Sequence, residues 1–277
     1  MSARYDYVTV GHVTLDLIED RPRDHAAQPG GGAFYSALQA ARLGLRTLIV
    51  TQGVPGEIEE LLAPYAGELD LRVIPARHTT TFATTGSGTT RAQRVLSWAG
   101  PIVEPIELDS SIVHLAAVAR ETPTAWRGTA DFVALTPQGL LREWQPGEAT
   151  SLVALSPAAI PSRFDAAVIG EREHHYCDAL FEGARGNEAP IAVTAGPEPT
   201  TVYLGGEESV MQAAVPATAT VSDDLGAGDV FAAAFFVSLL DGMTAADAAT
   251  FGNAAATFRV MGVGAEAVGT RAQILTL

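Results

Sequence analysis

A glycine-rich turn followed by an acidic residue is the part of this sequence best suited to do chemistry. In VSDDLGAGDVFAAAFF (221–236), Gly226, Ala227 and Gly228 stand where a loop turns into an apolar helix. The first amide N–H groups of a helix have no partner inside it, and the helix dipole adds partial positive charge there. Small residues would let a phosphate approach those amides closely. Asp229, in the first turn, is expected to be ionised and able to take a proton.

The same stretch has two other interpretations. A glycine-rich helix cap, with Asp229 as a capping acid, is at least as compatible with these residues taken alone. A dinucleotide-binding loop fits poorly, because the pattern G-x-G-x-x-G would need glycine where the chain has Phe231. Amides that hold a transferring phosphoryl group, with a base beside them, would form a kinase centre that needs no lysine.

The basic residues exclude several rival mechanisms. All 17 of them are arginine, and the chain contains no lysine. A Walker A loop, a protein kinase and Schiff-base chemistry each depend on a lysine amine, so none of the three operates here in its usual form.

Composition and net charge narrow the class of protein further. The 277 residues are 47% hydrophobic and carry a net charge of −15, which favours a folded chain and disfavours nucleic-acid binding. The single cysteine, Cys177, excludes an intramolecular disulfide and a multi-cysteine zinc site. No apolar run reaches the ~18 residues of a membrane span, and the start does not resemble a signal peptide, so we expect a cytoplasmic protein without membrane partners.

The first fifty residues predict a β–α–β unit. The pattern gives an apolar strand over 5–11, a helix over 31–43 that ends at Gly44, and a second strand over 46–51. This opening favours an α/β fold with a mostly parallel sheet covered by helices on both faces.

The later segments predict a ribbon, and then further strands and helices. The Thr-rich segment from 71 to 98 indicates an antiparallel ribbon. Two apolar helices are predicted over 227–240 and 245–260. Strands are predicted over the ranges 111–115, 131–135, 151–155, 166–169, 191–194, 200–204 and 210–214. We find no linker or repeat, so one domain over 1–277 is the expectation.

Two motifs together resemble the ribokinase (phosphofructokinase-B) family of carbohydrate kinases. Asp223 and the residues 226–229 match the family pattern D-T-x-G-A-G-D. GGGAFYSALQAARLG (30–44) matches the double glycine followed by a helix that ends in Leu-Gly. The spacing of GHVTLD (11–16) and of FGNAAATFRVMGVG (251–264) also matches, so the resemblance covers nearly the whole chain.

The resemblance implies a three-layer fold with a small antiparallel lid, and it implies roles for individual residues. Asp229 would be the general base, and Gly226, Ala227 and Gly228 would form the anion hole. The residues implied around the substrate are Asp16, Gly30, Gly31, Tyr35 and His12. The residues implied around ATP are Thr194, Gly196, Asp223 and Asn253, with Glu173 organising Mg²⁺ through water.

Departures from the family pattern concern the phosphates, the metal and the acceptor. Asp224 replaces a threonine, and Gly170 replaces an asparagine that accompanies Glu173 in the metal motif. Tyr35 and Thr14 replace asparagines of ribokinase, which argues against ribose as the substrate. The segments 17–29 and 71–98 predict a reduced lid, and this weakens the expectation of a homodimer formed through lids.

The sequence therefore favours an ATP-dependent kinase that phosphorylates a hydroxyl of a small sugar or polyol. An inositol or nucleoside kinase of the same fold stays open, as does a catalytically impaired member that binds small molecules. Arg91 and Arg94 on the ribbon could pair with an anionic acceptor or face solvent. The acidic and histidine residues of 171–175 predict a solvated helix start more than a metal site, and Cys177 predicts a buried structural residue.

Overall fold

The computed structural model describes residues 4–19, 27–103, 105–213 and 221–277. The strands are β1 Tyr5–Val10, β2 Thr14–Ile18, β3 Gln28–Gly30, β4 Thr47–Gly53, β5 Asp70–Pro75, β6 Thr81–Thr85, β7 Ala92–Ser97, β8 Glu107–Ala116, β9 Arg127–Thr136, β10 Arg142–Glu143, β11 Ser151–Leu152, β12 Ala166–Gly170, β13 Ile191–Ala195, β14 Glu198–Leu204 and β15 Glu207–Ala213. The helices are α1 Gly32–Arg42, α2 Pro55–Leu62, α3 Glu171–His174, α4 Asp178–Asn187, α5 Ala227–Leu240, α6 Ala245–Val260 and α7 Arg271–Ile274.

A large sheet forms the middle layer, with the strand order β15-β14-β13-β12-β9-β8-β1-β4-β5. All neighbouring pairs from β13 to β5 are parallel, while β14 and β15 are antiparallel at one edge. Parallel strands must be covered on both faces, which explains their continuous apolar runs. The expected α/β class with a mostly parallel sheet is confirmed.

Alternate residues of the strands enter two separate cores. Tyr7, Ile49 and Ile112 face a core shared with α1, α5 and α6. Val8 and Val113 face the other core, to which α4 contributes Leu180 and Ala184. This period-two division produces the three layers that the resemblance implies. No helix among the described ranges is both long and apolar enough to cross a membrane.

A second, four-stranded sheet has the order β3-β2-β6-β7. Its outer pairs β2–β3 and β6–β7 are antiparallel, and the inner pair β2–β6 is parallel. The prediction that residues 71–74 belong to this ribbon is wrong, because β5 pairs in parallel with β4 at the edge of the large sheet. Residues 20–26 of the predicted reduced lid lie outside the described ranges, and the single-domain organisation stays a prediction.

The predicted helices over 227–240 and 245–260 are confirmed, since α5 and α6 have these bounds. The predicted hairpin across 205–206 is confirmed as β14 and β15, although Ala214 lies outside the described ranges. The strand predicted over 151–155 is reduced to β11, which pairs only with β10. The pattern did not predict α2, which buries only Ile58 and Leu62.

Candidate active site

The predicted phosphate loop (226–229) and the double glycine (30–31) meet at one end of the large sheet. α1 and α5 both begin there, after loops that bring Gly32 and Asp229 together. Oδ1 of Asp229 lies 2.9 Å from the point that a Cβ on Gly32 would occupy. In parallel α/β sheets, ligands bind beyond the carboxyl ends of the strands, and this junction has that position.

The turn at the start of α5 is built on a buried aromatic ring. Gly226 is the N-cap residue and has φ of 76°, in the left-handed region that favours glycine. A Cβ at Gly226 would lie 2.4 Å from Cγ of Tyr35, so the backbone packs directly on that ring. A Cβ at Gly228 would have no atom within 4 Å. The loop is therefore supported at its first glycine and open at its last.

Three amides of this turn are available to an anion. Among the described residues, the N–H groups of Gly226, Gly228 and Asp229 donate no hydrogen bond, whereas Ala227 N donates to Asp224 O at 3.3 Å. Unpaired donors at a helix N-terminus, together with the helix dipole, favour negative charge. The anion hole stays a prediction; in it, Ala227 would contribute its small size more than its amide.

Burial opposes the ionisation of the Asp229 carboxyl, which the helix dipole alone would favour. Desolvation raises the pKa of Asp229 to about 7, against the lowering effect of Arg142. The carboxyls of Glu173 and Asp16 add to the rise. A carboxylate with a pKa near neutrality suits proton transfer at neutral pH better than an ordinary aspartate does. The expectation of a firmly ionised Asp229 is therefore corrected, while its suitability as a base is strengthened.

Asp16 and the double glycine fit together closely. Asp16 is 3% exposed, and its Oδ1 accepts a hydrogen bond from Oγ1 of Thr14 at 2.8 Å. A Cβ at Gly30 would lie 2.1 Å from Oδ2 of Asp16, and one at Gly31 would lie 2.2 Å from the carbonyl oxygen of His12. The glycines are thus required by the protein's own packing, which is a different reason from the expected contact with sugar. Burial raises the pKa of Asp16 to about 6.

His12 and Tyr35 lie inside the protein in this structure. The His12 ring is fully buried, and its Nδ1 is 2.8 Å from Oγ1 of Thr80. Tyr35 is 1% exposed, and the Arg259 guanidinium stands 5.4 Å from the centre of its ring. Both support the loops around the site, and their predicted contacts with substrate stay predictions.

Two of the residues predicted around ATP are occupied by structural contacts. The carboxylate of Asp223 accepts hydrogen bonds from the amides of Leu225 and Gly264 at 3.1 and 3.0 Å, and it pairs with the buried Arg259. Asn253 is 8% exposed, and its Oδ1 accepts a hydrogen bond from Thr200 at 2.8 Å. Asp223 therefore ties the phosphate loop to the segment after α6.

The other two predicted nucleotide residues lie at the end of β13, Thr194 within the strand and Gly196 directly after it. Thr194 donates to the carbonyl of Ile169 at 3.3 Å. Gly196 has φ of 62°, and a Cβ there would have no atom within 4 Å. Their position at the carboxyl end of a parallel strand is compatible with a donor site.

Glu173 does not fit the role of a metal ligand. It is 7% exposed, and its two carboxylate oxygens accept hydrogen bonds from the Gly170 amide and from Nε2 of Gln138, each at 2.8 Å. No group of three or more His, Cys, Asp or Glu able to hold a metal occurs among the described residues, 171–175 included. The described residues thus offer no cluster of direct ligands for Mg²⁺, and the predicted role of Glu173 toward that ion, through water, stays a prediction. Cys177 is buried, and burial raises the pKa of its thiol to about 12, so the thiol is inert.

The second sheet neutralises the unexpected carboxylate of Asp224. Oδ1 of Asp224 pairs with the guanidinium of Arg91, and Oδ2 accepts a hydrogen bond from the Gly88 amide at 2.8 Å. Gly88 and Arg91 both lie in the connection between β6 and β7. Asp224 therefore ties this sheet to the phosphate loop, and its charge is balanced before any phosphate arrives.

Arg142 is the residue of the site that the sequence did not reveal. It is 8% exposed and donates to the carbonyl of Val118 at 2.8 Å, to Oε1 of Gln93 at 2.7 Å and to Oε1 of Gln138 at 3.1 Å. Its charge lowers the pKa of both Asp16 and Asp229. The only hint in the sequence is its place a few residues after a parallel strand.

Comparisons with known proteins agree with this arrangement. A solved pyrophosphate-dependent kinase of the ribokinase family, bound to a pyrophosphate analog and myo-inositol, is 17% identical with a TM-score of 0.74, over 98% of this chain and 99% of that chain. Arabidopsis thaliana ribokinase, with ribose and ATP, is 18% identical with a TM-score of 0.71, over 99% of this chain and 98% of that chain. The Methanocaldococcus jannaschii nucleoside kinase is 17% identical with a TM-score of 0.70, over 99% and 98% of the two chains. At these identities the likeness shows a ribokinase-like fold.

Sequence comparison goes beyond the fold. No curated protein sequence matches the chain. The model of the pfkB family carbohydrate kinases, however, matches residues 110–270, which is more than half of the chain and includes the phosphate loop and Asp229. The chain therefore belongs to the pfkB family of carbohydrate kinases, phosphotransferases that act on an alcohol group.

Proposed function

We propose that this protein transfers the γ-phosphoryl group of ATP to a hydroxyl of a small sugar or polyol. The observation that carries the proposal is the position of the Asp229 carboxyl in a helix turn whose amides are free to bind an anion. The acceptor oxygen attacks the γ-phosphorus, and the new O–P bond forms as the bond to ADP breaks. Asp229 takes the proton of the acceptor hydroxyl, and ADP leaves with the bonding electrons. The amides of Gly226, Gly228 and Asp229 stabilise the phosphoryl charge.

The acceptor is proposed to lie against Asp16. The Asp16 carboxyl packs on Gly30 and the Asp229 carboxyl on Gly32, two residues further on, and Asp16 raises the pKa of Asp229, so one ligand can bridge them. A polyhydroxyl acceptor supplies a hydroxyl to each, whereas an acceptor with one hydroxyl group cannot. Inositol and nucleoside acceptors share this feature with sugars, and they remain alternatives within the same reaction.

Pyrophosphate is a second candidate donor. Three of the similar solved structures are of pyrophosphate-dependent kinases, while one other contains ATP and another is a nucleoside kinase. In this chain, the amide oxygen of Asn253, implied at the adenine, is already bonded to Thr200. A donor without a base would not need that residue. We retain ATP as the first proposal, with Mg²⁺ carried on its phosphates and not in a protein-held site.

An impaired, ligand-binding member of the family is supported less well. This alternative is suggested by the Asp224 carboxylate next to the expected phosphate site and by Gly170, where the family pattern has asparagine. Asp224 is paired with Arg91 and Gly88, so its charge does not oppose a phosphate at the loop. The cytoplasmic location and the homodimer stay predictions.

A screen of two donors against a panel of acceptors tests the function. ATP and pyrophosphate, each with Mg²⁺, would be paired with ribose, fructose, ketodeoxygluconate, myo-inositol and common nucleosides, and phosphorylated product would be measured directly. Transfer from ATP to one or more polyhydroxyl acceptors is expected. Transfer only from pyrophosphate would replace the proposed donor, and binding of acceptors without any transfer would favour the impaired alternative.

The pH profile gives a separate prediction. Because Asp229 must be ionised to accept a proton and its pKa is about 7, kcat/KM should rise with pH and level off above that value. Asp16, with a pKa of about 6, should make the acidic limb steeper, since its carboxylate is the form that accepts hydrogen bonds from hydroxyls. Initial rates in buffers of constant ionic strength would show this. A rate that stays level from about pH 5.5 to about pH 8.5 would contradict Asp229 as the base.

A further inference from the structure

The second sheet delivers positive charge to the site. Arg91 directly precedes β7, and Gln93, within β7, accepts a hydrogen bond from Nη2 of Arg142 at 2.7 Å. Asp224, the partner of Arg91, lies two residues before Gly226, and Arg142 is bonded to Gln93, two residues after Arg91. Both guanidinium charges also lower the pKa of Asp16 and of Asp229. One short segment of the second sheet thus supplies one cation and holds another.

Arg142 is a buried charge that no carboxylate contacts directly, although the charges of Glu173, Asp16, Glu121 and Asp229 act on it from further away. No carboxylate oxygen among the described residues lies within 4.0 Å of its guanidinium nitrogens, since it appears in no ion pair. Its hydrogen bonds go to neutral oxygens of Val118, Gln93 and Gln138, and the ring of Phe82 lies 5.2 Å from the guanidinium carbon. A buried guanidinium is costly unless an anion approaches it. Its neutral partners fix it in place, and because no carboxylate contacts it directly, it can still pair with an anion of a ligand.

Arg91 has one N–H group that its ion pair does not use. Its Nη2 pairs with Asp224, but its Nε is buried and has no hydrogen-bond partner among the described residues. A buried unpaired donor costs free energy in the absence of a ligand. Asp224 therefore holds the guanidinium in a fixed orientation and leaves Nε–H for another acceptor.

We propose that Arg91 and Arg142 together bind the transferring phosphoryl group, in addition to the amides at the start of α5. This inference rests on the proposed function and adds two catalytic residues to it. A transferring phosphoryl group spreads negative charge over its equatorial oxygens, and cations that contact those oxygens lower the barrier. Asp224 is a positioning residue, which explains why a carboxylate is useful at a place where the family pattern has threonine. The pair supplies the charge that a lysine gives in other kinases.

The kinetic test compares Arg91→Gln and Arg142→Gln with Arg94→Gln. Arg94 lies in β7 but pairs with Glu19 on the exposed side, so its replacement is a control for changes in the second sheet. Each of the first two variants should lower kcat by about 10²–10³-fold with a smaller change in the acceptor KM. Arg94→Gln should keep kcat. Guanidinium ions added below denaturing concentration should restore part of the rate of Arg91→Ala, which a purely structural role would not allow.

A binding test keeps the inference separate from the proposed function. Calorimetric titration with inorganic pyrophosphate needs no turnover, and it should show about tenfold weaker binding in Arg91→Gln and Arg142→Gln than in the unaltered protein. If the arginine variants bind pyrophosphate and turn over as the unaltered protein does, the inference is wrong and the proposed function stands. If the arginines govern anion binding but no acceptor is phosphorylated, the function fails and the anion site remains.

Two further variants guard against misfolding as an explanation. Arg142→Lys keeps the charge and should retain more activity than Arg142→Gln, although the loss of the planar fork prevents full recovery. Asp224→Asn keeps the size of the side chain and should lower kcat less than Arg91→Gln, because it loosens Arg91 without removing it. Equal rates in Asp224→Asn and the unaltered protein would exclude the positioning role.

Discussion

Asp229→Asn should lower kcat by about 10²–10⁴-fold, the usual contribution of a positioned general base. Asparagine has nearly the same shape, so the turn at Gly226–Asp229 and its free amides should remain. Because the lost interaction belongs to the proton transfer, the KM for the acceptor should change much less than kcat. Steady-state rates with ATP and the best acceptor of the screen would measure this, and the pH dependence near 7 should disappear in the residual rate.

Asp247→Asn is the matched control for this variant. Asp247 is the third residue of α6, as Asp229 is the third residue of α5, and its carboxylate is exposed and bonded to the N-cap Thr244 at 2.7 Å. Both changes remove a carboxylate from the first turn of a helix, but only one removes it from the site. Equal kcat values in the two variants would show that Asp229 acts through helix capping and not through catalysis.

Asp229→Asn should also change stability, with a definite sign. Because the pKa of Asp229 is raised to about 7 in the folded protein, the folded state holds its proton more tightly than the unfolded chain does. Stability from this group is therefore present at acidic pH and is lost as pH rises through the folded pKa. Asparagine escapes that loss, so its melting temperature should exceed that of the unaltered protein at about pH 8, and the difference should shrink toward about pH 4. Such a cost in stability is common at functional sites.

The elements that the sequence predicted best are those whose evidence is local. The almost wholly apolar run of α5, the glycine at its N-cap and the alternation of buried and exposed residues in β14 each follow from neighbouring residues. The place of β5 could not be predicted in this way, because its partner β4 is chosen by the fold and not by the letters of 70–75. Asp16 and Asp229 were found through motifs, but their raised pKa values come from burial that only the folded chain creates.

Arg142 is a residue of the site that the sequence could not predict. It is the first residue of the two-residue strand β10, directly after a short 3₁₀ helix, and no motif distinguishes it from sixteen other arginines. Its importance arises from Gln93 and Val118, which are distant in sequence and reach it only in the fold. Asp224 departs from the family pattern, but its partner Arg91 is 133 positions away, so the sequence alone does not show how the charge of Asp224 is balanced.

Separate replacement of the two glycines of the phosphate loop should lower stability in the case of Gly226 and activity in the case of Gly228. Gly226→Ala should lower the free energy of unfolding by about 2–4 kcal/mol, because it combines left-handed strain with overpacking. The added methyl would lie 2.4 Å from the Tyr35 ring. In a Tyr35→Ala background the steric share should disappear while the backbone strain remains, so the two changes should couple in a double-mutant cycle. Urea unfolding of the four proteins would measure the coupling, and strict additivity would contradict the packing of Gly226 on Tyr35.

Gly228→Ala should do the opposite. Alanine suits the first turn of α5 and meets no atom within 4 Å, so stability should be unchanged or raised by up to about 1 kcal/mol. The open space around Gly228 is, however, where the donor phosphate is proposed to approach the amides, and a methyl there would hold the phosphate away. We expect kcat/KM for the donor to fall by about 10–100-fold in a fully folded protein, since a displaced anion loses most of its charge-assisted hydrogen bonding. Donor kinetics unchanged from those of the unaltered protein would mean that the phosphate does not bind at this turn, and the free amides would then be no more than an ordinary helix end.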